Sequence, residues 1–369
     1  MIYLDHGATS YPKLPQVRRE MLSALDTCAN PGRGGYHQAM AGARAVYRCR
    51  ETAAKLFSCD PEQVVMTGSC TQGLNTAIHS LVKPGDRVVV SGFEHNAVVR
   101  PLYALGAKVT VAGRKLFDWE DTLEAFYKAL RSGQDAAVFT HVSNVFGYIL
   151  PVGEMAQMCR AHQVPFILDA AQSAGSQPVG LKAMGADFIA MPGHKGLLGP
   201  MGTGLLLCAQ PGTPLLYGGT GTASRERDMP QELPERLEAG TVNVPGIAGL
   251  TAGMEYVLRR GVENIQNAEH RQLLRCVKGL EKMGMRVFAG AHQASTVSFL
   301  PGMDCEEAAA FLGKQGIALR AGLHCAPLAH ESAGTIDTGT LRLSFGADAS
   351  HGQTSGFLRA ASKLPAFPQ

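Results

Sequence analysis

An α/β architecture is what the sequence predicts: a mostly parallel sheet between layers of helices, followed by a smaller α+β unit. Three observations point there. Five short apolar runs, RVVVS (87–91), AAVFTHV (136–142), PFILDA (165–170), DFIAM (187–191) and TGLLLC (203–208), are too continuously apolar for half-exposed strands and read as buried ones. Segments of helical period lie between and before them, at about 72–83, 95–105, 117–132 and 153–163; in the last, Met155, Met158 and Cys159 share a face. Strand and helix alternating in this way cover both faces of a parallel sheet, and ligands of such sheets bind beyond the carboxyl ends of the strands. After RLEAGTVNVPGIAGL (236–250), which reads as a hinge, a long helical pattern (250–283, interrupted at Gly261) leads to STVSFL (295–300), a helix near 305–315 and LRLSFG (341–346). The expected division is a large unit over 1–245 and a small one over 246–369, with residues 1–15 packing on the small unit.

Bulk composition narrows the function class. The chain has 369 residues, 45% of them hydrophobic and 18% charged, as in ordinary globular proteins. A net charge of +3, no long basic run and a single tryptophan, Trp119, argue against nucleic acid as a partner. No apolar run approaches the length of a membrane span, and the first residues, MIYLDHGATS, lack an apolar signal core. The nine cysteines are odd in number, irregularly spaced and without a CxxC, which favours reduced thiols in the cytoplasm.

Two residues carry the chemical argument. Asp169 closes the apolar run PFILD, where a carboxylate is costly to bury without a cation. Lys195 follows the run DFIAM, ringed by Gly193, Gly196 and Gly199. Alone, the first has the commoner reading of a helix cap and the second of a solvated surface lysine. Together, at the ends of strands that can be neighbours, they are the two protein groups pyridoxal phosphate requires: an acid for its ring nitrogen and an amine for its aldehyde. The glycines would let backbone approach the cofactor. TGSCTQGLN (67–75) leads small and hydroxyl residues into a helix, whose free N–H groups suit a phosphate; a plain N-cap is the alternative. GGTGTA (218–223) is a weaker rival. In EHN (94–96) the imidazole could stack on a flat ring. RAGLHCAP (320–327) sets Cys325 beside His324 and near Arg320, cations that would activate a thiol; an inert buried cysteine is the commoner fate. A metal site at His324, Cys325 and His330 lacks a second tight pair. Arg342, inside the apolar LRLSFG, demands a carboxylate partner.

These motifs, in order with YLDHGATS (3–10), NPGRGGYH (30–37), VSNVFG (142–147), DAAQSAG (169–175) and GHKGLLGPMGTG (193–204), resemble the class V, fold-type I pyridoxal-phosphate enzymes. Within these they resemble the cysteine desulfurase and selenocysteine lyase family, over nearly the whole chain. The resemblance implies a seven-stranded sheet, pyridoxal 5'-phosphate as cofactor and conversion of L-cysteine to L-alanine with sulfur left on an enzyme cysteine. It implies Lys195 as the Schiff-base lysine, Asp169 at the ring nitrogen, Gln172 and Asn144 near the ring hydroxyl, and His95 stacked on the ring. It implies Thr71, the Cys70 backbone and His194 at the phosphate, with Thr241 reaching the phosphate of a second subunit in a homodimer. It implies Arg342 on the substrate carboxylate, Arg320, Asn30 and His37 lining the substrate pocket, and Cys325 as the persulfide carrier on a short, ordered loop. A sulfur-acceptor protein is an implied partner. Related lyases of selenocysteine or cysteine sulfinate, a class V aminotransferase, and a non-catalytic sulfur carrier retaining the fold are the rivals. Two departures stand out: Pro192 precedes GHK where the family usually has a hydroxyl residue, and SCTQ replaces GTTE or GATE.

Overall fold

The computed structural model describes residues 1–32 and 34–368. Its elements run β1 (Ile2–Tyr3), α1 (Pro15–Thr27), α2 (His37–Phe57), β2 (Val64–Thr67), α3 (Cys70–Leu81), β3 (Arg87–Ser91), α4 (Asn96–Ala104), β4 (Lys108–Ala112), α5 (Trp119–Arg131), β5 (Ala136–Thr140), α6 (Val152–Ala161), β6 (Phe166–Asp169), α7 (Leu181–Met184), β7 (Phe188–Pro192) and β8 (Gly204–Cys208). Then follow α8 (Val244–Arg260), α9 (Val262–Lys282), β9 (Arg286–Phe288), β10 (Thr296–Leu300), α10 (Cys305–Lys314), β11 (Ile317–Ala318), β12 (Arg320–Gly322), α11 (Pro327–Ala333), β13 (Thr340–Ser344) and α12 (His351–Ala361).

Seven strands form one sheet in the order β2-β8-β7-β6-β5-β3-β4. The apolar runs named above supply β3, β5, β6, β7 and β8, each almost wholly buried between helices. Pairing is parallel from β7 through β4, whereas β8 runs antiparallel to both β7 and β2. Hydrophobic run length carries no strand direction, so this reversal had no signal. Nor did β2 and β4: the first is only four residues, and the second shows one fully buried side chain.

Helix ends follow local chemistry. Asp118 caps α5 by accepting the Asp121 N–H, with Glu120 and Asp121 in the first turn and Lys128 and Arg131 in the last, an arrangement that opposes the helix dipole. The long helical pattern breaks at Gly261, whose φ of 81° ends α8 and starts α9. Helix α8 packs on α1 and α2. A four-stranded antiparallel sheet, β12-β13-β10-β9, forms the carboxy-terminal part, and its Phe299 and Leu343 share one continuous core with Phe139 and Phe166 of the large sheet. The amino terminus reaches across: β1 pairs in parallel with β11, and Asp5 bridges to Ser344.

Candidate active site

Adjacent parallel strands set the floor. In the β6–β7 pair Asp169 lies opposite Ala190, so the turn after β7 that carries Lys195 comes up beside the acid. Asp169 is 2% exposed. Its Oδ1 accepts the Ala171 N–H at 2.9 Å and the Cys70 thiol at 3.5 Å. Burial raises its pKa; the Ala171 N–H and the Lys195 cation oppose that. Burial also lowers the pKa of Lys195, against the pull of Cys70 and Asp169. A desolvated amine held toward its neutral form is a nucleophile and a proton acceptor.

Glycines around Lys195 permit close approach of backbone to backbone. A Cβ on Gly196 would collide with the Ala174 carbonyl, one on Gly175 (φ 91°) with the Gly196 carbonyl, and one on Gly193 with Thr203 Oγ1. They let the DAAQSAG and GHKG loops interlock backbone to backbone, which fixes Asp169 relative to Lys195.

His95 forms one wall. It is the N-cap of α4, its Nδ1 accepting the Ala97 N–H at 3.0 Å, so the other nitrogen carries the proton of the neutral ring. Burial, with Lys195 and Arg342 as neighbouring cations, lowers its pKa to about 4. The amino end of α3 meets Asp169 through Cys70. Ser69 caps it by accepting the Gln72 N–H at 3.2 Å, while the Gln72 side chain accepts the Gly68 N–H at 2.7 Å. The cap hydroxyl is thereby engaged; Thr71, one residue into the helix, is exposed. His194 is neutral, its pKa lowered by burial to about 4, and its buried Nδ1 has no partner among the described residues. Pro192 ends β7 without a hydroxyl to offer.

Pyridoxal phosphate fits this donor set. Lys195 held toward its neutral form, the desolvated Asp169 with one oxygen already accepting two donors, Asn144 Oδ1 and His194 Nδ1 without a partner among the described residues, and the amino end of α3 are the groups that suit it.

Asn144 joins this floor to the carboxy-terminal part. Its carbonyl accepts Arg342 Nη1 at 2.9 Å and its side-chain amide donates to the His324 carbonyl at 2.8 Å. The Asn96 N–H donates to the Cys325 carbonyl at 2.8 Å. Two consecutive left-handed residues, His324 (φ 50°) and Cys325 (φ 57°), turn the chain here, and the two hydrogen bonds hold that turn. Cys325 is exposed, whereas most other cysteines are buried. His324 does not supply the cation expected beside it: burial, with Arg342 nearby, lowers its pKa to about 2, and its ring packs against Thr340.

Arg342 is 2% exposed, and its partner was not foreseen: Nη2 donates to Asp5 Oδ1 at 2.9 Å. Arg320 binds the same carboxylate, through Nε at 3.0 Å to both oxygens and Nη2 at 2.7 Å to Oδ2. Asp5 sits in YLDHGATS, but nothing local marks it, since its partners lie more than three hundred residues away. Gln172 stands at the same junction, donating to the Gly7 carbonyl at 2.9 Å. Other expected residues are not gathered in. Asn30 and His37 are exposed at the α1–α2 connection, where Asn30 accepts the Gly32 N–H. Thr241 is exposed on the loop before α8, which the buried Arg50–Glu238 ion pair anchors.

The aminotransferase class-V family model matches residues 2–354. The chain is 31% identical to a probable cysteine desulfurase of Methanothermobacter thermautotrophicus, over 91% of this chain and 88% of that one. It is 30% identical to a probable cysteine desulfurase of Xylella fastidiosa, over 99% and 91%. Among solved structures it superposes on the apo cysteine desulfurase of Thermococcus onnurineus with a TM-score of 0.90 at 30% identity, covering 98% of this chain and 94% of the other. The cysteine desulfurase CsdA of Escherichia coli, in its S-sulfonic acid form, superposes with a TM-score of 0.85 at 25% identity, over 98% and 94%.

Proposed function

This chain belongs to the class V aminotransferase family, and within it to the cysteine desulfurases, and on that premise we propose that it converts L-cysteine to L-alanine and keeps the sulfur on Cys325. When bound, pyridoxal phosphate supplies a conjugated ring that withdraws electrons from the substrate Cα. The remaining work falls to the chain. Arg342, whose buried Nε has no partner among the described residues, takes the substrate carboxylate. Lys195, kept toward neutrality by burial, holds the cofactor and then moves the Cα proton. Asp169 would hold the ring nitrogen through its second oxygen, and the neutral His95 would lie against the ring. The Cys325 thiolate attacks the substrate sulfur; a sulfur–sulfur bond forms as the carbon–sulfur bond breaks, and the released electron pair is protonated on carbon to give alanine.

The single observation that carries the reading is the Asn144 link: Asn144 follows the end of β5 that pairs with Asp169, and it bonds the loop of an exposed cysteine. Mixing the protein with L-cysteine and a reductant, and quantifying alanine and sulfide together, tests it. Equal amounts of both above a protein-free control are expected; alanine without sulfide would sink it.

The chain acts as a homodimer in this reading, with Thr241 serving the neighbouring phosphate site. Exposed apolar side chains support it: Leu22 and Leu25 on α1, Tyr36, Met40 and Tyr47 at and along α2, and Tyr217. Light scattering should give twice the chain mass. An acceptor protein takes the persulfide sulfur from Cys325. No helix among the described residues is long and apolar enough to cross a membrane. The cofactor-holding unit is residues 1–245 and the unit bearing Cys325 is 246–369.

A further inference from the structure

We propose that Asp5 sets the charge of the substrate-carboxylate site and thereby selects amino acids with one acid group over those with two. The inference rests on the reading of Arg342 as the carboxylate binder. Three groups form the site: Arg342, buried at 2% exposure, Arg320, nearly half exposed at 47% of its side chain, and Asp5, bonded to both. Two guanidiniums and one carboxylate leave a net charge of +1, which a single substrate carboxylate neutralises.

The hydrogen bonds divide the two arginines. Arg320 is occupied by Asp5 through Nε and Nη2, both carboxylate oxygens being engaged. Arg342 gives Asp5 only Nη2 and Asn144 only Nη1, and its buried Nε has no partner among the described residues. Arg342 thus keeps its Nε for the substrate, while Asp5 ties up the Nε and Nη2 edge of Arg320, leaves it only Nη1, and so weakens it as a second anion anchor. Asp5 is itself placed firmly: its backbone bridges to Ser344 beside Arg342, and its carbonyl accepts the Tyr3 hydroxyl at 3.2 Å. A buried guanidinium also needs a counter-charge when no substrate is present, and Asp5 supplies it.

The test uses the cofactor-loaded enzyme and two ligands, L-alanine with one acid group and L-aspartate with two. Their dissociation constants are read at equilibrium from the change in the cofactor's absorption. In Asp5→Asn, Arg320 is freed, and the aspartate-to-alanine ratio of constants should fall by about tenfold. Asp5→Glu should keep the wild-type ratio. Arg320→Ala should raise the ratio, and it keeps the proposal testable if Asp5→Asn fails to fold. An unchanged ratio in both Asp5→Asn and Arg320→Ala overturns the proposal. Arg342→Lys separates the two levels: weakened binding of both ligands upholds the Arg342 reading whatever Asp5 does, and unchanged binding removes the premise.

Discussion

The two halves of the site are built in opposite ways. Asp169 and Lys195 stand where two buried parallel strands end, locked by interdigitated glycine loops, in surroundings that shift both toward their neutral forms. Cys325 stands exposed on a turn of two left-handed residues, whose own two carbonyls accept hydrogen bonds from the Asn144 amide and the Asn96 N–H. Electron withdrawal at Cα gains from a dry, fixed environment, because fixed charges act more strongly there. Sulfur delivery needs a group that a second protein can reach. On the proposed function one chain would serve both: rigidity comes from strand ends, and access from a loop tethered to them at a few points.

Breaking the buried half should cost most. Lys195→Ala should remove covalent cofactor and lower turnover on the order of 10^4-fold; reduction with borohydride followed by peptide mapping should find no cofactor attached. Cys325→Ala should abolish sulfide release while leaving the cofactor's absorption intact, which sharpens the division between the halves. Asn144→Ala should loosen the tether: turnover should fall about tenfold, the size of one lost hydrogen bond, and alkylation of Cys325 should accelerate. An unchanged alkylation rate would mean that the turn holds itself.

The smallest effect concerns the layer beneath the floor. Glu94 is fully buried, its Oε1 accepting Thr140 N–H at 3.0 Å, and burial raises its pKa to about 8. A folded-state value above the unfolded one means the neutral form is favoured. That stability is full below about 4.5 and is lost as pH rises through about 8. Glu94→Gln should therefore flatten the fall in melting temperature between neutral and alkaline pH, by roughly 1–3 °C. The acid side is governed by His95, His141, His194 and His330, each lowered by burial to about 4. Their contribution is present above about 6.5 and drains away as pH falls toward 4.

The same contrast explains what could be read from the sequence. The strands of the floor were legible because a fully buried strand is a continuous apolar run, and Asp169 and Lys195 because each is a charge at the end of one. Arg342 was legible as a charge within such a run, but its partner was not. Asp5 lies 337 residues away, and only the pairing of β1 with β11 and the bridge to Ser344 bring them together. The glycines around Lys195 were visible, yet their purpose was not, since the loop they meet is distant in the chain. Cys325 stood out in RAGLHCAP, and its role as persulfide carrier is what the motif resemblance implies; the tether that holds it runs through the Asn144 side chain and the Asn96 backbone, whose geometry no local pattern encodes.

The most direct test of the two-part site is a single turnover with L-cysteine, quenched without reductant and mapped by peptide mass spectrometry. The account predicts one extra sulfur atom on the peptide containing Cys325, in step with one alanine released per chain. Alanine release with the added sulfur on another cysteine, such as Cys70 beside Asp169, would contradict it.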